Sequence, residues 1–413
     1  MSYKFLETES PAWVAEGLIT ETQRAALLAR YPPDTVQAVG LLPLLGSILV
    51  GLSALSVVAA NWQSLPTTVR LVLLLGSLVG AYAGGNYFLR RGNRRVGYGL
   101  LALGLGLFGS SIILTSQLYQ LVGYDASGLL AWVVAGVLLS FLYDSYLLAL
   151  LPVVIGAAVQ TYCTQALGSF SYATAGLVAL GCGWRWWQRP DALVASVLAA
   201  GLLWQAALWV ALAHVKITWF FIPAMLVYAA GDWHPDRRAS RALQGPPLVA
   251  AYLFALGLAL FGETDQYAGL LRPPVLIYLG ALAAVLALSV AGKRARGRLA
   301  SLPDWLLLLP GFYLPGGLPL AIATLVVLYA HAGTVLARAH RSSDPEQLTL
   351  GTVLFIVATM VAYFKLTWEF LDKSLFFLIG GVLLLSLSWY LRRRNARHLA
   401  AGAAAVVPGE EKG

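Results

Sequence analysis

Four groups of polar residues in this 413-residue chain lie inside or at the ends of long apolar runs. An ionisable or strongly polar side chain is expensive in such a setting and marks a place of function by default. The first group is Ala59–Ala60–Asn61–Trp62, at the end of the first apolar run. Asn61 could hold a substrate, although capping the turn while Trp62 anchors the interface accounts for it more simply. The second is Ser116–Gln117–Leu118–Tyr119–Gln120, where Gln117 and Tyr119 could bind a headgroup or sugar. Hydrogen bonds between helices explain the same pair equally well.

The third group is a rim of mixed charge comprising His214, Lys216, Glu263, Asp265, Arg272, Lys365, Glu369, Asp372 and Lys373. Arg272 and Lys216 could be ligands of a lipid-linked phosphate, with Glu263 or Asp265 as a base. Snorkelling cations around a solvated loop are the plainer account. The fourth is the interrupted stretch Pro310, Gly311, Pro315, Gly316, Gly317 and Pro319. Broken helices in transporters expose backbone dipoles at substrate sites, and an ordinary Pro/Gly loop has the same composition. His331 is the one histidine placed deep in a span, where packing is a commoner role than proton relay.

No G-x-x-x-x-G-K-[ST], H-E-x-x-H or G-x-S-x-G string occurs. Regularly spaced arginines of a voltage sensor are also absent. The chain therefore offers no catalytic residue, no metal set and no cofactor motif, and an enzymatic role is disfavoured. Cys163 and Cys182 do not form a metal motif. They are expected at opposite ends of consecutive helices, as packing residues.

The elements that must position these groups follow from composition. Hydrophobic residues make up 59% of the chain, charged residues only 11%, and mean hydropathy is +0.73. Soluble domains carry about a quarter charged residues, and a helical crossing takes roughly 20 apolar ones. The expected fold is an all-α polytopic membrane bundle of about 14 transmembrane helices. The apolar runs fall near 37–60, 67–89, 96–116, 127–143, 145–162, 171–187, 192–213, 216–231, 246–262, 273–291, 302–314, 316–337, 349–366 and 374–391. The region 302–337 reads either as two crossings or as a re-entrant loop plus one helix.

The net charge of +9 sits in short clusters between these runs. They include Arg90–Arg95, Arg185 and Arg189, Arg237–Arg241, Lys293–Arg298, Arg338 with Arg341, and Arg392–Arg397. Threaded from an inner N-terminus, all fall on one side. Only Arg70, Lys216, Arg272, Lys365 and Lys373 reach the other. The positive-inside rule then gives an N-in, C-in protein of a bacterial cytoplasmic membrane, its basic clusters facing anionic headgroups. Nucleic acid is excluded as a partner by this placement. The turn Tyr143–Asp144–Ser145–Tyr146 departs from the rule by being acidic.

Residues 1–36 read as a cytoplasmic helical cap, 37–391 as the bundle and 392–413 as a basic disordered tail. Ser10–Pro11 is expected to open a first helix ended at Gly17. Thr20 with Gln23 fits a capping box for a second helix running to Arg30. Gly76, Gly80 and Gly84, like Ala102, Gly106 and Ser110, repeat at the small-xxx-small spacing of close helix contacts. Tryptophans such as Trp62, Trp132, Trp219, Trp305 and Trp389 are expected in interfacial belts.

The stretch Trp13–Val14–Ala15–Glu16–Gly17–Leu18–Ile19–Thr20–Glu21, then Tyr31, the glycine-rich first span, Ala59–Asn61–Trp62 and Gln117–Leu118–Tyr119 together resemble a bacterial family. It is known as domain of unknown function 2157. Gln120 stands where the family commonly has a histidine. The resemblance extends over roughly residues 8–160, and the end of the chain from Tyr363 to Arg394 looks similar to the tails of such multi-pass proteins. It implies an integral membrane protein and carries no activity or catalytic residue with it. The leading functional expectation is transport or flipping of a small or amphiphilic substrate. The alternatives are a scaffold or sensor acting through a membrane-protein partner, and an intramembrane enzyme on a lipid-linked substrate at the outer face.

Overall fold

A computed structural model describes residues 3–30, 64–119, 127–261, 273–308, 317–342 and 345–367, with a few positions between 378 and 386. The described chain is α-helical and contains no strand. Eight of its helices are long and apolar enough to cross a membrane, and two shorter apolar helices accompany them. This is an all-α, multi-pass membrane protein. The first and last spans expected, 37–60 and 374–391, lie outside the described helices, as do Asn61, Trp62, Arg272, Glu263, Asp265, Glu369, Asp372, Lys373, Trp389 and the Pro310–Gly316 break.

The chain divides into two compact units, Met1–Ser77 and Leu78–Gly413. In the first, α1 (Tyr3–Ala15) carries Pro11 in its interior and not at its start. The expectation that Ser10 opens this helix is therefore corrected. The preceding Tyr3–Glu9 is already helical, and Ser10 is buried, accepting a hydrogen bond from Arg24 Nε at 3.1 Å. Gly17 ends the turn at φ +72°, a conformation that needs no Cβ. Thr20 and Gln23 close the capping box of α2 (Glu21–Arg30). The Thr20 N–H donates to Gln23 Oε1 at 2.9 Å and the Gln23 N–H to Thr20 Oγ1 at 3.3 Å.

Most of the membrane helices follow the apolar runs. The helix over the run 246–262 begins at Arg237, however, and takes in the basic cluster expected between runs, and of the run 302–314 the described helix is Asp304–Leu308. The first helices are α3 (Thr67–Arg90), α4 (Arg94–Leu118), α5 (Ser127–Leu142) and α6 (Tyr146–Ala166). Then α7 (Tyr172–Gly176) continues through a π-helical turn, Leu177–Cys182, into α8 (Gly183–Gln188). There follow α9 (Ala192–Leu212), α10 (Phe221–Trp233), α11 (Arg237–Phe261), α12 (Pro273–Ala295), the short α13 (Asp304–Leu308), α14 (Leu318–Ser342) and α15 (Pro345–Thr367). Gly317 precedes α14 at φ +79°.

Two buried clusters organise the second unit. The first draws mainly on α4 to α9, with Leu105, Val133, Leu148, Val153, Val178 and Ala195 at its centre. The second draws on α10 to α15 and is centred on Met225, Tyr228, Ala255, Tyr278, Leu328 and Ala358. Glycines permit the close approaches of the first cluster; of those read from the spacing, a Cβ at Gly84 would meet Leu100 at 3.4 Å, and the tighter contacts are at other glycines. Among the described residues, a Cβ at Gly80 or Gly106 would meet no neighbour. One at Gly109 would strike the Trp132 ring at 2.2 Å, one at Gly156 would strike Val178 at 2.4 Å, and one at Gly201 would strike Val153 at 2.5 Å.

Trp132 thus packs inside the bundle, its Nε1 donating to Leu105 O at 2.8 Å. Trp305 is buried as well. The indole N–H groups of both find acceptors between helices. Cys163 and Cys182 are free thiols buried in the first cluster, as packing residues.

Candidate functional site

Three helices and a short connection converge where the basic clusters lie. On α10, Tyr228 and Asp232 stand one turn apart and so share a face. On α12, Ser289 and Lys293 have the same spacing, as do Ser240 and Gln244 on α11. Glycine brings the backbones together beside each polar residue. A Cβ at Gly231 would meet Gln244 at 2.8 Å, and one at Gly292 would meet Trp233 at 2.9 Å and Asp232 Cβ at 3.2 Å. Ser240 Oγ donates to Gly231 O at 2.7 Å and Trp233 Nε1 to Leu288 O at 3.1 Å.

The side chains of Lys293 and Asp232 pair at 2.8 Å with 0% and 1% of their surface exposed. Each is saturated with hydrogen bonds. Lys293 Nζ donates to Asp232 Oδ1 at 2.8 Å, to Tyr228 OH at 3.1 Å and to Ser301 Oγ at 2.7 Å. Asp232 Oδ1 also accepts from Gln244 Nε2 at 2.7 Å. Its Oδ2 accepts from Ser289 Oγ, which in turn accepts from Trp305 Nε1 at 2.8 Å. The Lys293 ammonium lies 4.8 Å from the Tyr228 ring centroid, within cation–π range.

Tyr228 joins this pair to a second one. Its hydroxyl accepts from Lys293 and donates to Asp304 Oδ2 at 3.1 Å. Asp304, at the start of α13, receives a bidentate fork from Arg338 on α14, with Nη2 to Oδ1 at 2.5 Å and Nη1 to Oδ2 at 3.1 Å. His331, two turns before Arg338, is buried and places Nδ1 at 3.8 Å from Asp304 Oδ1. No described residue hydrogen-bonds that nitrogen. The cluster holds two carboxylates, one ammonium and one guanidinium, so its formal charges balance before His331 is counted.

Arg298 closes the basic end. Nη1 donates to Ser240 Oγ at 3.0 Å and Nη2 to Pro235 O at 2.9 Å, beside the last carbonyls of α10. A cation is favoured at that end by the helix dipole. Burial pushes the Arg298 guanidinium down from its usual value, and the Asp232 carboxylate acts in the opposite direction.

At the matching end of the first cluster, Arg185 is buried and donates from Nε to Ser140 O at 2.8 Å. Arg185 and Arg189 reach Asp144 at 3.3 and 3.1 Å, though the Asp144 side chain is 77% exposed. The acidic turn that breaks the positive-inside pattern is thus neutralised by arginines of the next loop. Beside it, His234 lies 4.4 Å from the Trp186 ring and 5.0 Å from Trp187, centroid to centroid.

Among the described residues, the sequence-selected ones at Gln117, Tyr119, Lys216 and His331 do not form one site. Gln117 and Tyr119 are exposed at the end of α4, and Lys216 is exposed before α10. Lys365 Nζ donates to Leu260 O at 3.2 Å. Of the described candidates only His331 joins the buried network. Asp232, Asp304, Tyr228 and Ser289 were passed over, and Lys293, Arg298 and Arg338 were assigned to the basic inner loops. The available signal was the turn-spaced pairing of polar residues, Tyr228–Asp232 and Ser289–Lys293, inside apolar helices.

Residues 11–149 match the family of predicted membrane proteins designated domain of unknown function 2157. No curated protein and no solved structure matches the chain. The match takes in α2 to α5 and stops before α10. The buried ionic network therefore lies wholly outside the part of the chain that the family describes. So does the C-terminal stretch from Tyr363 to Arg394.

Proposed function

We propose that this protein transports or flips a small or amphiphilic substrate across the bacterial cytoplasmic membrane, with its basic end inside. In this reading, the network of Asp232, Lys293, Tyr228, Asp304, Arg338 and His331 couples substrate movement to that of a cation. The observation that carries it is the complete burial of the Lys293–Asp232 pair among membrane helices. Such a pair stabilises a fold no better than well-packed hydrophobic residues of the same volume. Charge placed there is explained by what it does when the helices rearrange. Ionisable groups that face a bundle interior and pair with one another are the usual constituents of ion and proton pathways. The hydrogen-bonded run from Asp232 through Lys293 and Tyr228 to Asp304 supplies the donors and acceptors for one station of such a path.

The test is reconstitution into proteoliposomes under an imposed proton, sodium or potassium gradient, read by entrapped pyranine for protons and by entrapped sodium- or potassium-selective dyes for the other two. Wild-type protein should dissipate at least one gradient faster than empty vesicles, and Asp232→Asn should not. Vesicles that behave like empty ones under all three gradients would overturn the proposal.

A further inference from the structure

The three oxygens around Lys293 Nζ form a small cage. Asp232 Oδ1 at 2.8 Å, Tyr228 OH at 3.1 Å and Ser301 Oγ at 2.7 Å each accept one proton of the ammonium. One carboxylate with two neutral oxygens suits a single positive charge, because hard monovalent cations and ammonium groups share oxygen ligands. The cage floor is rigid. Asp232 and Tyr228 sit on one face of α10, and Gln244 and Ser289 hold the carboxylate from two further helices. The remaining wall is built differently. Ser301 is only half-buried and comes from the connection after α12.

That connection begins at Gly297, whose φ of +65° ends the helix. The Arg298 N–H closes the turn onto Lys293 O at 2.8 Å. Lys293 itself belongs to the last turn of α12 and reaches the cage on a flexible four-carbon stem. The cage thus has a fixed anionic floor, a wall borne by the connection at the basic end, and a charged side chain that can withdraw along the same route.

We propose that the cage of Asp232, Tyr228 and Ser301 is a monovalent-cation site, occupied here by the Lys293 ammonium as a tethered ligand, and that a free cation replaces it when Lys293 withdraws. The exchange conserves charge. One cation leaves the carboxylate as another arrives, so Asp232 is never left buried and unpaired, the condition that costs most. The exchange also changes what rests on the Tyr228 oxygen, from an N–H donor to a bare cation, and Tyr228 touches Asp304 in turn. This inference rests on the transport reading for its purpose, but the site is tested by binding alone.

Full-length Lys293→Ala in lipid nanodiscs leaves the floor of the cage and opens the space of the stem. Its thermal unfolding is followed in chlorides of sodium, potassium, ammonium and methylammonium, with N-methyl-D-glucamine, too large for the cage, holding ionic strength constant. At least one small cation should raise Tm in a saturable way. The rise should vanish in Lys293→Ala/Asp232→Asn. The same Tm in all five salts overturns the proposal. Should Lys293→Ala fail to fold, the wild-type protein decides. A cation that displaces Lys293 should speed acetylation of that one lysine, read by mass spectrometry, and an unchanged rate overturns the site. Cation binding without flux in proteoliposomes would keep the site and remove the transport reading. Flux with neither readout responding to cations would do the reverse.

Discussion

The two buried clusters of the membrane bundle place their polar groups in opposite ways. In the first, α4 to α9 approach through glycines that meet Trp132, Val178 and Val153. Its ion-pair group among the described residues, Arg185 and Arg189 with Asp144, opens to the surface at the carboxylate. In the second, the equivalent end carries Lys293, Asp232 and Asp304 inside, with exposures of a few per cent or less. Apolar packing suffices to hold a helix pair together in lipid when small residues let backbones meet. The second cluster uses the same device at Gly231 and Gly292 and then adds charge beyond what packing requires. The difference separates a region held by apolar packing from one held by packing and buried charge together.

The contrast can be broken most forcefully at Asp232. Asp232→Asn leaves the Lys293 ammonium buried without its counter-ion and should destabilise the protein by about 3–5 kcal/mol. Thermal or denaturant unfolding in mixed micelles would read it, and a loss as small as that of a surface pair would erase the distinction. Replacing both partners, as Asp232→Leu with Lys293→Met, should be neutral or stabilising by about 1–4 kcal/mol. Flux in proteoliposomes should nevertheless be lost. Retained flux with retained stability would make the pair ornamental.

In the first cluster, Gly109→Ala forces a methyl group into the Trp132 ring and should cost about 1–3 kcal/mol by overpacking, measured by the same unfolding assay. Flux, where folded protein is recovered, should be unchanged. The smallest effect is expected at Asp144→Ala. Its carboxylate is mostly solvated, so the loss should fall in the range of about 0–1 kcal/mol and should shrink further in high salt.

Fold and site were legible to different degrees for a physical reason. Helix positions follow from apolar length, so the expected runs at 67–89, 96–116, 192–213 and 349–366 match α3, α4, α9 and α15 to within a few residues. The capping box at Thr20 and Gln23 is local chemistry and was equally plain. The network was not, because a lysine or arginine next to a span end has two meanings. Lys293 and Arg338 stand where basic loop residues belong, and only the meeting of α10, α12, α13 and α14 turns them inward. Asp232 and Asp304 carried the clue, since an acidic residue at a basic end requires a partner. Asp144 follows the same rule, with Arg185 and Arg189 as its partners. The glycine stripe at Gly76, Gly80 and Gly84 shows a related limit: of the three, Gly84 meets a described neighbour, Leu100. Spacing identifies a face, whereas the contact surface depends on which face the neighbour takes.

Tyr228 has one hydroxyl hydrogen, and it is committed to Asp304. The oxygen can therefore only receive from Lys293. This gives the network a direction, as a wire with a diode in it has one. The phenol is thereby shared between the two pairs, its oxygen turned to the Lys293 side and its hydrogen to Asp304 and the guanidinium fork on α14. Tyr228→Phe would remove that shared hydroxyl while keeping the ring that packs beside Trp305, leaving two ion pairs that no longer know of each other.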